Sequence, residues 1–429
     1  MGSIPATKRV LLFTNSEHGQ ANVCLATSYA LLTLSDEDVE VHFASFPPIE
    51  KFVAITSQHA VRDDPRARPI IFHPIDGIDM VSAWTRPELA SEQDGLKMID
   101  VVKLIYAIRR MMLLLKITLP WTGSEFVQIL FSVIDIVHKV QPDIIAVDPA
   151  FSPALTALRH INAKFIVLSP NTIKDFAMPH QPNGEPLWKY PWFIEFPLAV
   201  TPESIIPCGP IIRPALPLKE VDPELAEWLG RAPTVYVNLG THMLLDEEMA
   251  GEMAAALRMA LDALNKKEEY QVTEKGCKVW DVLGEEMMES GRVRIVEWFE
   301  AEPTAVLEGG RVVCAVHHGG ANSFLETVSA GIPQVVLPVW MDTYDFARRA
   351  EILGIGRWGN QGTEFGVAFK GRELGGALVD VLVGGRASVY EKRARELAEL
   401  CKRSGGGRVI AARRILDEIE EVNGFEKVL

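Results

Sequence analysis

Residues 316–326 carry the side chains and glycines best suited to chemistry in this chain. They read Val-His-His-Gly-Gly-Ala-Asn-Ser-Phe-Leu-Glu. The apolar residues 311–316 predict a short strand, and a helical pattern begins near Ala321. A helix start offers unpaired N–H groups and the positive end of the helix dipole, while glycine lets a ligand approach the backbone. The pattern therefore predicts a phosphate site.

A carboxylate follows the next predicted strand. Residues 334–338 form that strand, and the loop after it contains Asp342. Carboxylate oxygens accept hydrogen bonds from hydroxyl groups such as those of a sugar. The phosphate site and this carboxylate together indicate an enzyme that holds a nucleotide diphosphate beside a polyhydroxylated group.

These segments lie in the second of two alternations of strand and helix. The first alternation begins with a strand at residues 9–14, and the second begins at residues 234–239. Such alternation is typical of an α/β fold with parallel, doubly wound sheets. The prolines between Pro202 and Pro223 predict a linker, because they continue neither a helix nor a central strand. The expected organisation is an N-terminal domain at 1–207, a linker at 208–230, a C-terminal domain at 231–404, and a terminal helix at 405–429 that packs back on the N-terminal domain.

Size, composition and charge exclude several classes of protein. The chain has 429 residues, of which 48% are hydrophobic and 23% charged, as expected for a globular protein with two domains. Its net charge of −14 argues against binding to nucleic acids or to anionic membranes. No apolar run reaches the ~18 residues that span a bilayer, and the cysteines form no CxxC motif. We therefore expect a cytoplasmic protein without a membrane span.

The C-terminal half resembles the UDP-sugar-dependent glycosyltransferases, which include plant natural-product glucosyltransferases and animal glucuronosyltransferases. Residues 317–323 are similar to the fungal branch of this superfamily. The resemblance implies the GT-B fold, in which two Rossmann-like domains face each other and the active site lies in the cleft between them. The residues that carry the resemblance, in order and near the family spacing, are Trp298, His318, Gly320, Asn322, Ser323, Glu326, Gly331, Pro333, Pro338, Asp342 and Ala347.

The resemblance also implies how the donor is held. Trp298 is expected to stack on the uracil, because an indole face suits a planar base, and Glu326 is expected to accept the ribose hydroxyls. Asp342 is expected to recognise the sugar, and it is followed by Thr343, where plant members commonly have Gln or His. Thr241, after the strand at 234–239, completes the expected donor-binding residues. The expected contacts of the diphosphate are His318, Gly320, Asn322 and Ser323.

The catalytic base is expected in the first strand-to-helix loop. In this family a histidine there takes the proton of the acceptor hydroxyl, and an aspartate at the end of a later strand orients it. Asp148, at the carboxyl end of a predicted strand, matches the aspartate. The usual Gly-His pair aligns with Gly19 and Gln20, and Gln20 cannot act as a base. His18, two residues earlier in the same loop, is therefore the predicted base.

The resemblance thus implies an inverting transfer of a hexose, glucose in the first instance, from a UDP-sugar to a hydroxyl of a small molecule. The product is expected to be a β-O-glycoside of a phenolic, polyketide, terpenoid or sterol. The UDP-sugar is a co-substrate, and neither a cofactor nor a metal is expected, because fixed dipoles at the helix start can stabilise the leaving diphosphate. The apolar residues expected to wall the acceptor are Trp84, Met111, Met112, Trp121, Phe126, Phe176, Trp188, Trp192 and Phe193.

Three other functions stay open from the residues alone. Gln20 and Thr343 depart from the family pattern, which leaves room for a catalytically weak or inactive partner protein that binds a nucleotide-sugar. A sugar-nucleotide epimerase has the same two-domain fold, although the pattern from 298 to 326 argues against it. An NAD-dependent dehydrogenase is disfavoured, because neither opening strand is followed by GxGxxG.

Overall fold

The computed structural model describes residues 7–34, 38–86, 119–177, 180, 201–240, 243, 245–264, 271–275, 291–296, 299–339, 342–362 and 369–426. The chain divides into two compact units. The first unit comprises Met1–Pro170, Ile211–Pro214 and Ser404–Leu429, and the second comprises Asn171–Pro210 and Ala215–Arg403. No helix in the described ranges is long and apolar enough to cross a membrane.

The first unit is built on a parallel sheet of five strands in the order β3-β2-β1-β4-β5. The strands are β1 (Lys8–Phe13), β2 (Val39–Ser45), β3 (Ile71–Pro74), β4 (Ile144–Val147) and β5 (Phe165–Val167). The helices are α1 (His18–Thr33), α2 (Glu50–Asp63), α3 (Met80–Trp84), α4 (Gly123–Val140) and α5 (Ser152–His160).

The central strand β1 sets the position of the loops at the carboxyl edge of the first unit's sheet. Its residues from Val10 to Phe13 are fully buried, as expected for a parallel strand that is covered on both faces. β1 pairs with β2 on one side and with β4 on the other. Phe13 therefore lies opposite both Ala44 and Val147. The loop after β1 and the residue after β4 consequently emerge side by side at the carboxyl edge of this sheet.

The second unit is built on a parallel sheet of six strands in the order β11-β10-β9-β6-β7-β8. The strands are β6 (Thr234–Asn238), β7 (Gln271–Lys275), β8 (Val293–Val296), β9 (Val312–His317), β10 (Gln334–Val336) and β11 (Gly356–Trp358). The helices are α6 (Ile173–Ala177), α7 (Leu218–Val221), α8 (Pro223–Arg231), α9 (Glu247–Leu264), α10 (Pro303–Glu308), α11 (Ala321–Ala330), α12 (Thr343–Ile352), α13 (Gly371–Leu382) and α14 (Ala387–Lys402).

The predicted helix start at Ala321 is confirmed, since α11 begins there directly after the turn that follows β9. β9 lies between β6 and β10, so its carboxyl end is flanked by the loops that follow both neighbours. This order places the loops after β6, β9 and β10 along one edge of the second sheet.

The predicted linker at 208–230 differs from the observed division of the chain. α8 is amphipathic, and its apolar face buries Leu225, Trp228 and Leu229 in a core cluster of the second unit. Residues 215–230 consequently belong to the second unit, and residues 211–214 group with the first. The density of prolines predicted that no long helix forms there, but it could not show that the short helix α8 packs in the second unit.

The C-terminal helix α15 (Gly407–Glu426) groups with the first unit. The Arg408 guanidinium donates a hydrogen bond to the Ile212 carbonyl at 3.1 Å and lies 5.7 Å from the ring centre of Tyr29 in α1. At its other end the Lys8 ammonium donates to Glu420 at 3.0 Å. α15 thus covers α1, which begins at the carboxyl edge of the first sheet.

Candidate functional site

The side chain of His317 holds the turn between β9 and α11 through a hydrogen bond from Gly319. The Gly319 N–H donates to His317 Nδ1 at 3.1 Å, so the ring proton lies on Nε2, which donates to Gln334 Oε1 at 2.6 Å. Burial lowers the pKa of His317 to about 4, and the ring is therefore neutral at pH 7. His317 therefore joins the turn, through Gly319, to Gln334 of the neighbouring strand β10.

The His318 ring lies between two glycines of the second unit. A Cβ on Gly240 would lie 2.6 Å from His318 Cε1, and a Cβ on Gly320 would also collide with this ring. Gly240 has a φ of 77°, in the left-handed region that favours glycine. Glycine at position 320 therefore admits the His318 side chain itself, a role in addition to the expected close approach of a ligand.

Glu326 and Ser323 face β6 across a small cavity. The Asn238 amide donates to Tyr236 Oη at 2.9 Å and accepts from the Gly240 N–H at 3.0 Å, which fixes both side chains. Burial and then the charge of Glu326 raise the pKa of Tyr236 above its usual range, so the phenol keeps its proton. The cavity is lined by Tyr236, Asn238, Pro303, Leu307, Ala315, Val316, His317, Ser323, Glu326 and Thr327.

The structure separates the two residues that were assigned to the donor sugar. Asp342 is exposed at the N-cap of α12, in the loop that follows β10. Thr343 is fully buried, and its Oγ1 accepts from the Val339 N–H at 3.1 Å. Asp342 therefore presents a carboxylate at the edge of the sheet, whereas Thr343 holds the loop that carries it. Asn322 lies in the first turn of α11 and is half-buried.

Several predicted binding residues lie outside the described residues. They are Trp298 and Thr241 of the donor site, and Met111, Met112, Trp188, Trp192 and Phe193 of the acceptor walls. Among the other predicted wall residues, Trp121 is buried in the first unit's core and donates its Nε1–H to the Ile78 carbonyl at 2.9 Å. Trp84 and Phe126 pack against the same core. Phe176 is half-buried in α6.

Asp148 is held by three donors at the carboxyl edge of the first sheet. Its Oδ2 accepts from Asn15 Nδ2 at 2.7 Å and from Thr14 Oγ1 at 3.3 Å, and its Oδ1 accepts from the Ala150 N–H at 2.8 Å. The residue is 1% exposed, and burial raises the pKa of Asp148 to about 6 in spite of these hydrogen bonds. The carboxyl group therefore titrates close to neutral pH.

His18 lies at the same edge, but it is not one of the donors to Asp148. It is the first residue of α1 and is half-buried, and its ring meets that of Phe52 edge-on with centroids 4.4 Å apart. Phe52 belongs to α2, which follows β2, and β2 lies on the opposite side of β1 from β4. Gln20 follows in α1, and its Oε1 has no hydrogen-bond partner among the described residues.

Sequence reasoning missed the partners of Asp148 and the residues of β6. Thr14 and Asn15 come directly after a buried strand, and that position was the available signal for both. Tyr236 and Asn238 were read only as part of a strand, although a polar residue at a strand's carboxyl end was visible there. Both pairs lie where parallel strands end, which is where α/β sheets bind ligands.

The chain is similar in sequence to proteins of known class. Residues 185–384 match the family described as "UDP-glucoronosyl and UDP-glucosyl transferase". Glycosyltransferase sdnJ of Sordaria araneosa is 30% identical over an alignment 497 positions long. The alignment covers 92% of this chain and 95% of that protein. The matched region includes β6, the turn after β9, and α11.

The chain also has the fold of solved glycosyltransferases. A UDP-glucosyltransferase from Polygonum tinctorium, capable of glucosylating indoxyl, aligns with a TM-score of 0.67 and 14% identity over 98% of this chain and 100% of that one. Os79 from O. sativa, solved in complex with UDP, aligns with a TM-score of 0.59 and 14% identity over 96% of this chain and 100% of that one. The predicted α/β fold of GT-B type is thereby confirmed.

Proposed function

This chain belongs to the UDP-sugar-dependent glycosyltransferase family, and on that premise we propose that it moves a hexose, glucose in the first instance, from a UDP-sugar to a hydroxyl of a hydrophobic small molecule. The product is a β-O-glycoside, formed with inversion at the anomeric carbon. The observation that carries this proposal is the turn from His317 to Gly320 at the start of α11, where His318 is fitted between two glycines.

That turn supports donor binding because its groups suit a diphosphate. The first N–H groups of α11 have no partner inside the helix, and the helix dipole adds a positive partial charge. The ring of His318 and the hydroxyl of Ser323 add donors to the same end of the helix. Glu326 lies one turn further on, beside Tyr236, where its carboxylate suits the ribose hydroxyls. Asp342, exposed after β10, suits the sugar hydroxyls.

The proposed reaction is a direct displacement. The acceptor oxygen forms a bond to the anomeric carbon while the bond from that carbon to the UDP oxygen breaks. The acceptor proton passes to His18, and the negative charge that develops on UDP is stabilised by the start of α11. Asp148 supplies a buried carboxylate at the same sheet edge as His18.

The proposed acceptor is a small hydrophobic molecule with a hydroxyl group, of the phenolic, polyketide, terpenoid or sterol classes. The structural neighbour from Polygonum tinctorium glucosylates indoxyl, which supports a small hydroxylated acceptor for this fold. An aromatic side chain already lies beside the proposed base, since Phe52 meets His18 edge-on.

A pair of histidine variants tests the proposed base. His18→Ala is expected to lower transfer at least about 100-fold, because general base catalysis contributes on that order, and to leave UDP affinity unchanged by calorimetry. His160→Ala is the matched control, since His160 is an exposed histidine at the end of α5 in the same unit. Equal activity of the His18→Ala and His160→Ala proteins would remove His18 from the mechanism.

A further inference from the structure

We propose that Asn15 is a positioning residue that ties the buried carboxylate of Asp148 to the first turn of α1, in place of a direct histidine–aspartate pair. The inference rests on the proposed function, because the turn that Asn15 holds carries His18. Asn15 lies in the loop between the central strand β1 and α1, and β1 pairs with β4, which Asp148 follows.

Both ends of the Asn15 side chain are in use. Asn15 Nδ2 donates to Asp148 Oδ2 at 2.7 Å, and Asn15 Oδ1 accepts from the Glu17 N–H at 2.6 Å. The Asn15 backbone carbonyl accepts from Ser45 Oγ of β2 at 3.2 Å. Asn15 is completely buried, so each of these hydrogen bonds replaces one to water.

The chemistry of the partners fixes the orientation of the Asn15 amide. One end faces Asp148 Oδ2, which only accepts when the carboxyl group is ionised, and the other faces the Glu17 backbone N–H, which only donates. A rotation of the amide by half a turn would place its oxygen against the carboxylate of Asp148. Aspartate at position 15 would create that same contact between two acceptors.

The link continues into α1 through Glu17. Glu17 is the N-cap residue of α1, and its carboxylate accepts from the Gln20 N–H at 3.1 Å. His18 is the next residue, so its backbone is set by the hydrogen bond from Glu17 to Asn15. A displacement of about 1 Å at a catalytic group lowers the rate on the order of 100-fold. Asn15 therefore controls the place of His18 without contact to the reacting atoms.

Two titratable groups face Asp148 from α1 and the turn before it. The charge of Glu17 raises the pKa of Asp148, next to the larger effect of burial, and the charge of Asp148 contributes to a raised pKa of the Cys24 thiol. The Asn15 amide opposes the first of these effects, because it donates to the ionised carboxylate. Loss of this donor consequently favours the protonated form of Asp148.

Asn15→Asp tests the link, because it preserves the shape of the side chain and the acceptor for the Glu17 N–H. The carboxylates at 15 and 148 then share one proton at low pH and repel each other once it is lost. The ratio of the variant's kcat to that of the wild type is expected to fall by about tenfold or more between pH 5.5 and 8.5. KM for UDP-glucose is expected to stay constant, since the donor site lies in the second unit.

Ser45→Ala is the matched control, because it removes a buried hydroxyl that bonds to the Asn15 backbone and not to its amide. Its kcat ratio to the wild type is expected to be the same at every pH. A second variant, Asn15→Ser, withdraws the amide donor without adding a charge, and its acid limb of kcat is expected to move to higher pH. A constant ratio for Asn15→Asp across the pH range would overturn the proposal.

Thermal unfolding across the same pH range separates failure of this inference from failure of the proposed function. The Tm of Asn15→Asp is expected to fall increasingly below that of the wild type as the pH rises. The reason is that the folded state binds the shared proton more tightly than the unfolded state, so losing this proton destabilises the fold. Ser45→Ala should run parallel to the wild type. If the wild type transfers no sugar but the curves diverge, the proposed function fails and the Asn15 link stands. Parallel curves for Asn15→Asp would refute the link whatever the activity.

Discussion

Asp148→Asn is expected to abolish most of the transfer activity and to change how stability depends on pH. Burial raises the pKa of Asp148 from 3.8 to about 6 in the folded protein. This difference corresponds to about 3 kcal/mol of unfolding free energy, which is present while the carboxyl group is protonated and is lost when it ionises. At 1% exposure the carboxyl group is shielded from solvent screening. The substitution also alters hydrogen bonds to Asn15 and Ala150, but that contribution does not vary with pH.

The sign follows from the raised pKa. The folded state holds the Asp148 proton more tightly than the unfolded state, so this stability is complete below about pH 4 and is lost as the pH rises through 6. The wild type should therefore lose about 2 kcal/mol relative to Asp148→Asn between pH 4 and 7, since part of the difference lies below pH 4. For a unit of this size the loss corresponds to roughly 4–8 °C in Tm.

Calorimetric melting of both proteins from pH 4 to 8 measures this difference. Asp79→Asn is a control of opposite sign in the same unit. Although burial acts to raise it, the pKa of Asp79 is lowered overall by hydrogen bonds from Ser82, Ser16 and the backbone. Its stability contribution is therefore lost as the pH falls. Parallel curves for Asp148→Asn and the wild type would refute the account of a carboxyl group destabilised by burial.

Three further predictions concern the second unit. Glu326→Ala is expected to weaken UDP binding about tenfold in calorimetry, with less effect on the turnover of bound substrate; equal affinity would exclude Glu326 from the nucleotide site. Gly240→Ala is expected to lower both Tm and UDP affinity because it displaces His318, whereas Gly209→Ala, with a φ of 74° and open space around it, should lower Tm alone. Because burial lowers the pKa of His317 to about 4, the unit should lose stability as the pH falls below 6.5, and His317→Gln should flatten that dependence in thermal melts.

The turn between β9 and α11 could be predicted because its signals are local in sequence. A buried strand, two glycines and a helix start follow one another within residues 312–321, and α11 begins at the predicted residue. The inward direction of Thr343 could not be predicted, because it depends on the path of the loop back to Val339. The fit of His318 against Gly240 joins two strands that are far apart in sequence.

The contacts at the carboxyl edge of the first sheet were harder to predict because they depend on the order of the strands. Sequence reasoning placed Asp148 correctly at the carboxyl end of β4, whereas His18, expected in the loop after β1, is the first residue of α1. It could not show that β2 and β4 flank β1, which separates the Phe52 neighbour of His18 from Asp148. Asn15, in the loop after the central strand, makes the hydrogen bond to Asp148 that the sequence analysis expected of His18.

The most direct test of the proposed function is mass spectrometry of the products formed by the wild-type protein. UDP-glucose is supplied with a panel of phenolic, polyketide, terpenoid and sterol acceptors, UDP release is followed, and the anomeric configuration of any product is determined by NMR. The account predicts a product heavier by one hexose, joined through a β-O-glycosidic bond. A protein that neither binds UDP in calorimetry nor forms a glycoside with any acceptor would contradict it.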